Sequence, residues 1–177
     1  MHPVLWIAPE HRSRFFNVIA FSTILVAAVL GMMGQVLHTP HAPLGVLSFE
    51  LAFTADALRQ MMAEWMPHLA TSVGFQLGFD FLLISLYALS LSAALLYSRK
   101  DPAQWIHILA WLLLVAGACD AIENLCLLTC MITGPTDAMA LAAGLFASTK
   151  FLILAAALIA WPALHFSRSA ADRATPA

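Results

Sequence analysis

Four ionisable side chains, Asp80, Asp120, Glu123 and Lys150, lie inside long apolar stretches of this 177-residue chain. A charged group at the centre of a bilayer costs roughly 3 kcal/mol even on the lenient insertion scale. Keeping four of them requires a use, either in holding helices together or in chemistry. Carboxylates beside an ammonium are suited to proton exchange, cation binding or general acid–base work. Three carboxylates against the one ammonium leave a surplus of two negative charges if all ionise. In a low dielectric that surplus calls for protons, a bound cation or a cationic ligand.

Helical spacing gathers these groups. Gln76 and Asp80 are i,i+4 and share a face that continues to Tyr87. Asp120, Glu123 and Asn124 are i, i+3, i+4, with Gly117 one turn earlier on the same face. Lys150 has Ala147 and Leu154 as face neighbours, so it projects from a small-residue stripe. Charged faces of intramembrane helices turn toward the protein interior.

The elements that must position them follow from composition. The chain is 62% hydrophobic and 10% charged, with a mean hydropathy of +0.85. A soluble domain carries about 25% charged residues, so this chain cannot cover itself with polar surface in water. The length fits a single domain. Four apolar segments, at about 15–37, 73–97, 105–132 and 138–166, each exceed the ~20 residues that cross the hydrocarbon core. Helix is the expected form, because lipid offers no partner to an unpaired backbone group. The first segment is too long for a signal-peptide core and lacks a small-residue cleavage site after it, so it reads as a retained helix.

Basic residues orient the spans. Arg12 and Arg14 precede the first, Arg99 and Lys100 lie between the second and third, and Arg168 and Arg173 follow the fourth. The first loop has only Arg59, and 133–137 has no basic residue. The positive-inside rule then puts both termini and the 2–3 loop in the cytoplasm, with a bacterial-type inner membrane as the natural setting. At 1.5 Å per residue, Asp80 lies about 10 Å below the outer surface, Glu123 roughly 13 Å, and Asp120 and Lys150 roughly 18 Å. Three helices thus bring their charges to one slab in the outer half of the membrane.

In the first loop, Leu51, Ala55, Leu58, Met62 and Trp65 recur at helical spacing, with Asp56, Arg59, Gln60 and Glu64 opposite them. The pattern predicts an amphipathic helix at about 49–66, capped by Ser48 and ending before Pro67. It is too short and too charged to span. It either lies at the interface as a connector or covers the acidic slab as a lid. Glu50 and Thr54, i,i+4, are expected to form a small polar patch of their own. The tail, 167–177, is expected to be disordered.

Other features read as structural. His38, His41 and His68 lie in an irregular, proline-containing outer region and are taken as unliganded, so no metal site is expected. Cys126 and Cys130 are i,i+4, not the C-x-x-C of thiol oxidoreductases, and with Cys119 serve as small hydrophobes. The stripes Gly74/Gly78 and Ala140/Gly144/Ser148 are packing faces. Phosphate-binding loops, nucleophile elbows, dinucleotide fingerprints and basic nucleic-acid-binding runs are all missing from the sequence.

The motifs Gly78-Phe79-Asp80-Phe81, Asp120-x-x-Glu123-Asn124 and Lys150-Phe151, with Phe49-Glu50-Leu51-Ala52 in the first loop, form a pattern. It resembles a broad set of small bacterial four-helix membrane proteins without an assigned activity. The resemblance implies no cofactor and no substrate. It implies that Glu50, Asp80, Asp120, Glu123, Asn124 and Lys150 belong together.

The expected architecture is therefore all-α: a polytopic membrane four-helix bundle with an amphipathic interfacial helix in its first outer loop. Glu50, Gln76, Asp80, Asp120, Glu123, Asn124 and Lys150 are the expected ligand-binding set. Three functions compete. The first is binding, or transport, of a small cationic or proton-exchanging ligand. The second is an intramembrane acid–base enzyme, isomerase-like, acting on a lipid-soluble substrate. The third is an assembly subunit whose polar cluster is internal glue. The charge surplus favours binding. The lipid bilayer is the one partner the composition demands, and a homo-oligomer is compatible with it. Pocket shape separates the readings. A cavity open to outer water favours ion or solute binding, one open to lipid favours an enzyme or a lipid binder, and no cavity favours glue.

Overall fold

Where a chain must satisfy its backbone groups without water, long apolar segments become helices. In the computed structural model of the protein, residues 1–66, 68–98 and 102–174 are described, with side chains described as far as Leu164. Six α-helices form, and no strand is found among the described residues. They are α1 (Arg12–Gly34), α2 (Val46–Glu50), α3 (Ala55–Trp65), α4 (Ala70–Tyr97), α5 (Gln104–Thr133) and α6 (Asp137–Ala174). Four of them are long and apolar enough to cross a membrane, with mean hydropathy 2.2 in the first and 1.9 in the other three. The chain thus has the character of an integral membrane protein.

The long helices pack in chain order. α1 lies along α4, α4 along α5, and α5 along α6, with α4 also touching α6. Two apolar clusters hold the ends. The first, at the end that carries α2 and α3, includes Leu37, Phe49, Leu58, Trp65, Leu77 and Leu127. The second, at the opposite end, includes Val4, Ile19, Leu95, Leu113 and Ala157. There the N-terminal turn is stitched in: buried His2 lies 3.2 Å from the Ala110 carbonyl, and the Tyr97 hydroxyl donates to the Val4 carbonyl at 2.6 Å. The charged residues sit between these clusters.

The first loop departs from the expected single helix. It forms α2 and α3, separated by 51–54, where Phe53 adopts φ 54°. That left-handed conformation is costly for a bulky residue and is held by packing: the Phe53 ring lies against Gly144 of α6. A Cβ at Gly144 would come within 2.6 Å of that ring. The cap of α3 is Thr54, whose side chain accepts from the Ala57 amide. Ser48 is not a cap; its hydroxyl accepts from the Leu44 amide at 2.9 Å. The helix break explains both differences, because it starts a new N-terminus at Ala55.

α3 buries Ala55, Leu58, Met61 and Trp65 against the loop end of the bundle. Polar ties fix it there. The Ala55 amide donates to Asp137 Oδ1 at 2.9 Å, Arg59 donates to the Pro135 carbonyl at 3.2 Å, and Trp65 Nε1 donates to the Leu37 carbonyl at 3.0 Å. α2 and α3 together form a cap over one end of the bundle.

At the C-terminus the helix continues through Ala174, so the segment expected to be a disordered tail is helical as far as that residue. Pro67, Arg99, Lys100, Asp101 and the last three residues of the chain lie outside the described residues.

Candidate functional site

The site begins with a close approach of α4 and α5. Gly117 presents no side chain, and a Cβ there would meet Ile84 Cγ2 at 3.3 Å and Ala88 Cβ at 3.6 Å. One turn further on, the polar faces meet. The Tyr87 hydroxyl donates to Asp120 Oδ2 at 2.8 Å, and Asn124 Nδ2 donates to Asp80 Oδ2 at 2.8 Å. On the other side, buried Ala140, Ala143 and Ala147 let α6 pack tightly and bring Lys150 in on the same stripe.

Lys150 is the hub. Its Nζ donates to Asp120 Oδ1 at 2.6 Å and lies 2.8 Å from Glu123 Oε2 and 3.2 Å from Glu50 Oε2. Lys150 and Asp120 are each 3% exposed and Glu123 is fully buried, so each charge depends on the others for compensation. Glu123 Oε2 is close enough for an ion pair without accepting an aligned hydrogen bond, and its Oε1 has no donor.

Glu50 enters from the cap. Being the last residue of α2, it is turned inward by the break that follows, and its carboxylate joins Lys150 rather than Thr54. The expected Glu50–Thr54 patch therefore does not form; Thr54 is used as the α3 cap. Burial pushes the Glu50 carboxyl up to about 7, with Lys150 pulling the other way and Asp80 and Asp120 adding to the rise. Glu50, Asp120 and Glu123 thus surround the one ammonium, and Asp80, held by Asn124, is a fourth carboxylate in the same region.

Gln76 belongs to the same face of α4 but has a different partner. Its Nε2 donates to the Leu30 carbonyl at 2.7 Å, tying α4 to α1. Gly34 permits this, since a Cβ there would lie 2.9 Å from Gln76 Nε2. Where α1 and α4 are held together under the cap, a cavity of about 250 Å3 remains. Its polar wall is Glu50, Gln76, Asp80 and Asn124, and His38 also lines it. Lys150, Asp120 and Glu123 do not line it; they stand behind Glu50 and Asp80.

All seven expected site residues are thus in one region, divided into a buried hub and a cavity wall. Four further residues contribute that spacing and residue type do not single out. Helical spacing puts Tyr87 on the polar face of α4 but does not name Asp120 as its partner. His38 lies in an irregular, proline-containing segment and nevertheless lines the cavity. The α1 glycines Gly31 and Gly34, which line the cavity, are small residues at the end of a helix that also carries Ala20, Ala27 and Ala28, so nothing in the sequence sets them apart. The histidine His41 pairs with Glu64 at 2.7 Å on the surface, away from the cavity.

No family model, no curated protein and no solved structure matches the chain.

Proposed function

We propose that this protein binds a small cationic or proton-exchanging ligand in the cavity between α1, α2 and α4. The observation that carries the reading is the division of the cluster. One ammonium is enclosed by Glu50, Asp120 and Glu123, while Glu50 and Asp80 also face the cavity. Negative charge in excess of Lys150 is neutralised by protons or by a positive ligand. The cavity wall is where either arrives.

The cavity's position supports solute binding over catalysis. Its lining includes His38, Leu44, Val46 and Leu47 of the first loop, so it lies at the loop end of the bundle. With the basic residues of the sequence inside, that end faces the outer side of a bacterial-type inner membrane, and both termini are cytoplasmic. Lys150 is shielded from the cavity by carboxylates, which counts against a role as an acid or base toward a substrate. The cavity itself counts against a purely structural cluster.

The test is thermal unfolding in lipid nanodiscs with sodium, methylammonium, ethyltrimethylammonium or the bulky N-methylglucammonium as chloride salts at equal ionic strength. At least one small cation should stabilise the protein relative to N-methylglucammonium, more at pH 8 than at pH 6. Asp80→Asn should remove the effect. Identical melting in all four salts at both pH values overturns the reading.

A further inference from the structure

The hydrogen-bonding groups of the cavity are unbalanced in one direction. Asn124 Nδ2 is committed to Asp80, and Gln76 Nε2 to the Leu30 carbonyl. Lys150 Nζ is committed to its three carboxylates behind the wall. Apart from His38, whose ring can donate as well as accept, acceptors are what remain: the carboxylates of Glu50 and Asp80, and Asn124 Oδ1. Asn124 is fully buried, and its Oδ1 has no donor. An amide oxygen left in that state is a standing demand for an N–H or O–H group. The opposite wall is apolar, built from Leu30, Leu44, Val46, Leu47, Leu77 and Leu83.

We propose that the cavity takes a primary ammonium carried on a short apolar body, with Glu50, Asp80 and Asn124 Oδ1 accepting its N–H groups. This rests on the cation-binding reading above and narrows it to a chemical class, a small alkyl- or arylalkylamine. A primary ammonium brings three donors and one positive charge, matching three acceptors and the excess of negative charge. Its apolar body has the leucine wall to bury against. A bare metal ion lacks a use for that wall and needs six or more oxygens around it in the case of calcium. A quaternary ammonium has the charge but no N–H, so it leaves Asn124 Oδ1 unpaired. The cavity of about 250 Å3 has room for a short alkyl or arylalkyl body.

The experiment is isothermal titration calorimetry on the protein in nanodiscs at pH 8 with three probes matched in heavy-atom count: n-pentylammonium, ethyltrimethylammonium and 1-pentanol. Sodium is the fourth probe. The expected result is n-pentylammonium binding at least tenfold tighter than the other three. Gly31→Leu and Leu47→Trp, both at cavity-lining positions, should each weaken n-pentylammonium binding. A Cβ at Gly31 meets nothing within 4 Å, so the backbone there has space for a side chain to start. Ethyltrimethylammonium or sodium binding as well as n-pentylammonium overturns the ammonium assignment while leaving cation binding standing. Equal binding of 1-pentanol, or n-pentylammonium affinity unchanged in both variants, overturns the site. No binding by any of the cations removes both readings.

Discussion

Glu50 Oε2 stands 3.2 Å from Lys150 Nζ, so the cap formed by α2 and α3 is fastened to the centre of the bundle by a buried charge pair. The same ammonium holds Asp120 and Glu123 on α5. One side chain therefore joins the cap, α5 and α6. Removing it leaves several carboxylates facing one another without a counter-charge. Lys150→Met should destabilise the protein by about 3–5 kcal/mol. Lys150→Met combined with Asp120→Asn should cost clearly less than the two single changes added together, measured by reversible unfolding in mixed micelles. Strict additivity in that double-mutant cycle would mean the pair is not energetically coupled.

A pH dependence follows from Glu50. Its carboxyl is raised from 4.5 to about 7, chiefly by burial. A group whose folded-state value is raised binds more protons in the fold than in the unfolded chain between those two values. Its stabilising contribution is full below about 4.5 and is lost as pH rises through about 7. The groups facing it are Lys150, Asp80, Asp120 and Glu123, and these remain in a Glu50→Gln variant. The difference between wild type and Glu50→Gln reports Glu50 together with its effect on these neighbours. Relative to the variant, wild type should lose on the order of 2–3 kcal/mol between pH 5 and pH 8. Parallel stability profiles for the two proteins across that range would refute it.

The charged face of α5 was legible because i, i+3, i+4 spacing alone puts Asp120, Glu123 and Asn124 side by side. Apolar length and the loss of water as a backbone partner specified the four long helices in the same way. The cap was not legible in detail. Periodicity from Leu51 to Trp65 runs across 51–54 as though the helix continued. It stops there because Phe53 finds a seat on Gly144, a contact between distant parts of the chain. That break re-aims Glu50 from Thr54 to Lys150. The cavity was equally hidden, since it depends on how α1 rests on α4 through Gly34 and Gln76. No local pattern encodes that relation.

Phe53 on Gly144 yields its own prediction. Gly144→Ala places a methyl group within 2.6 Å of a ring carbon, so the ring and the strained 51–54 segment must move. Overpacking of this kind costs roughly 1–3 kcal/mol. The loss should be local, loosening the cap while the long helices persist. Hydrogen exchange should speed up in the amides of α3 and stay unchanged in the centre of α5. Unaltered α3 protection would show that the cap does not depend on this contact.

The last prediction concerns which way the cavity faces. Arg12, Arg14, Arg168 and Arg173 flank the membrane segments at the chain ends, whereas 133–137 carries no basic residue. If the proposed orientation holds, Thr136 and Asp56 lie outside and Ala103 in the cytoplasm, as the positive-inside rule predicts. All three residues are exposed in the structure, so labelling at each reports the side of the membrane rather than burial. The chain's own Cys119, Cys126 and Cys130 must first be replaced, with serine or alanine, to give a silent background. Single cysteines at Asp56 and Thr136 should then react with a membrane-impermeant maleimide added to intact cells. A cysteine at Ala103 should react only after the membrane is opened. The reverse pattern would turn the cap and the cavity toward the cytoplasm. The ligand would then reach Glu50 and Asp80 from inside the cell, and the proposed access from outer water would be wrong.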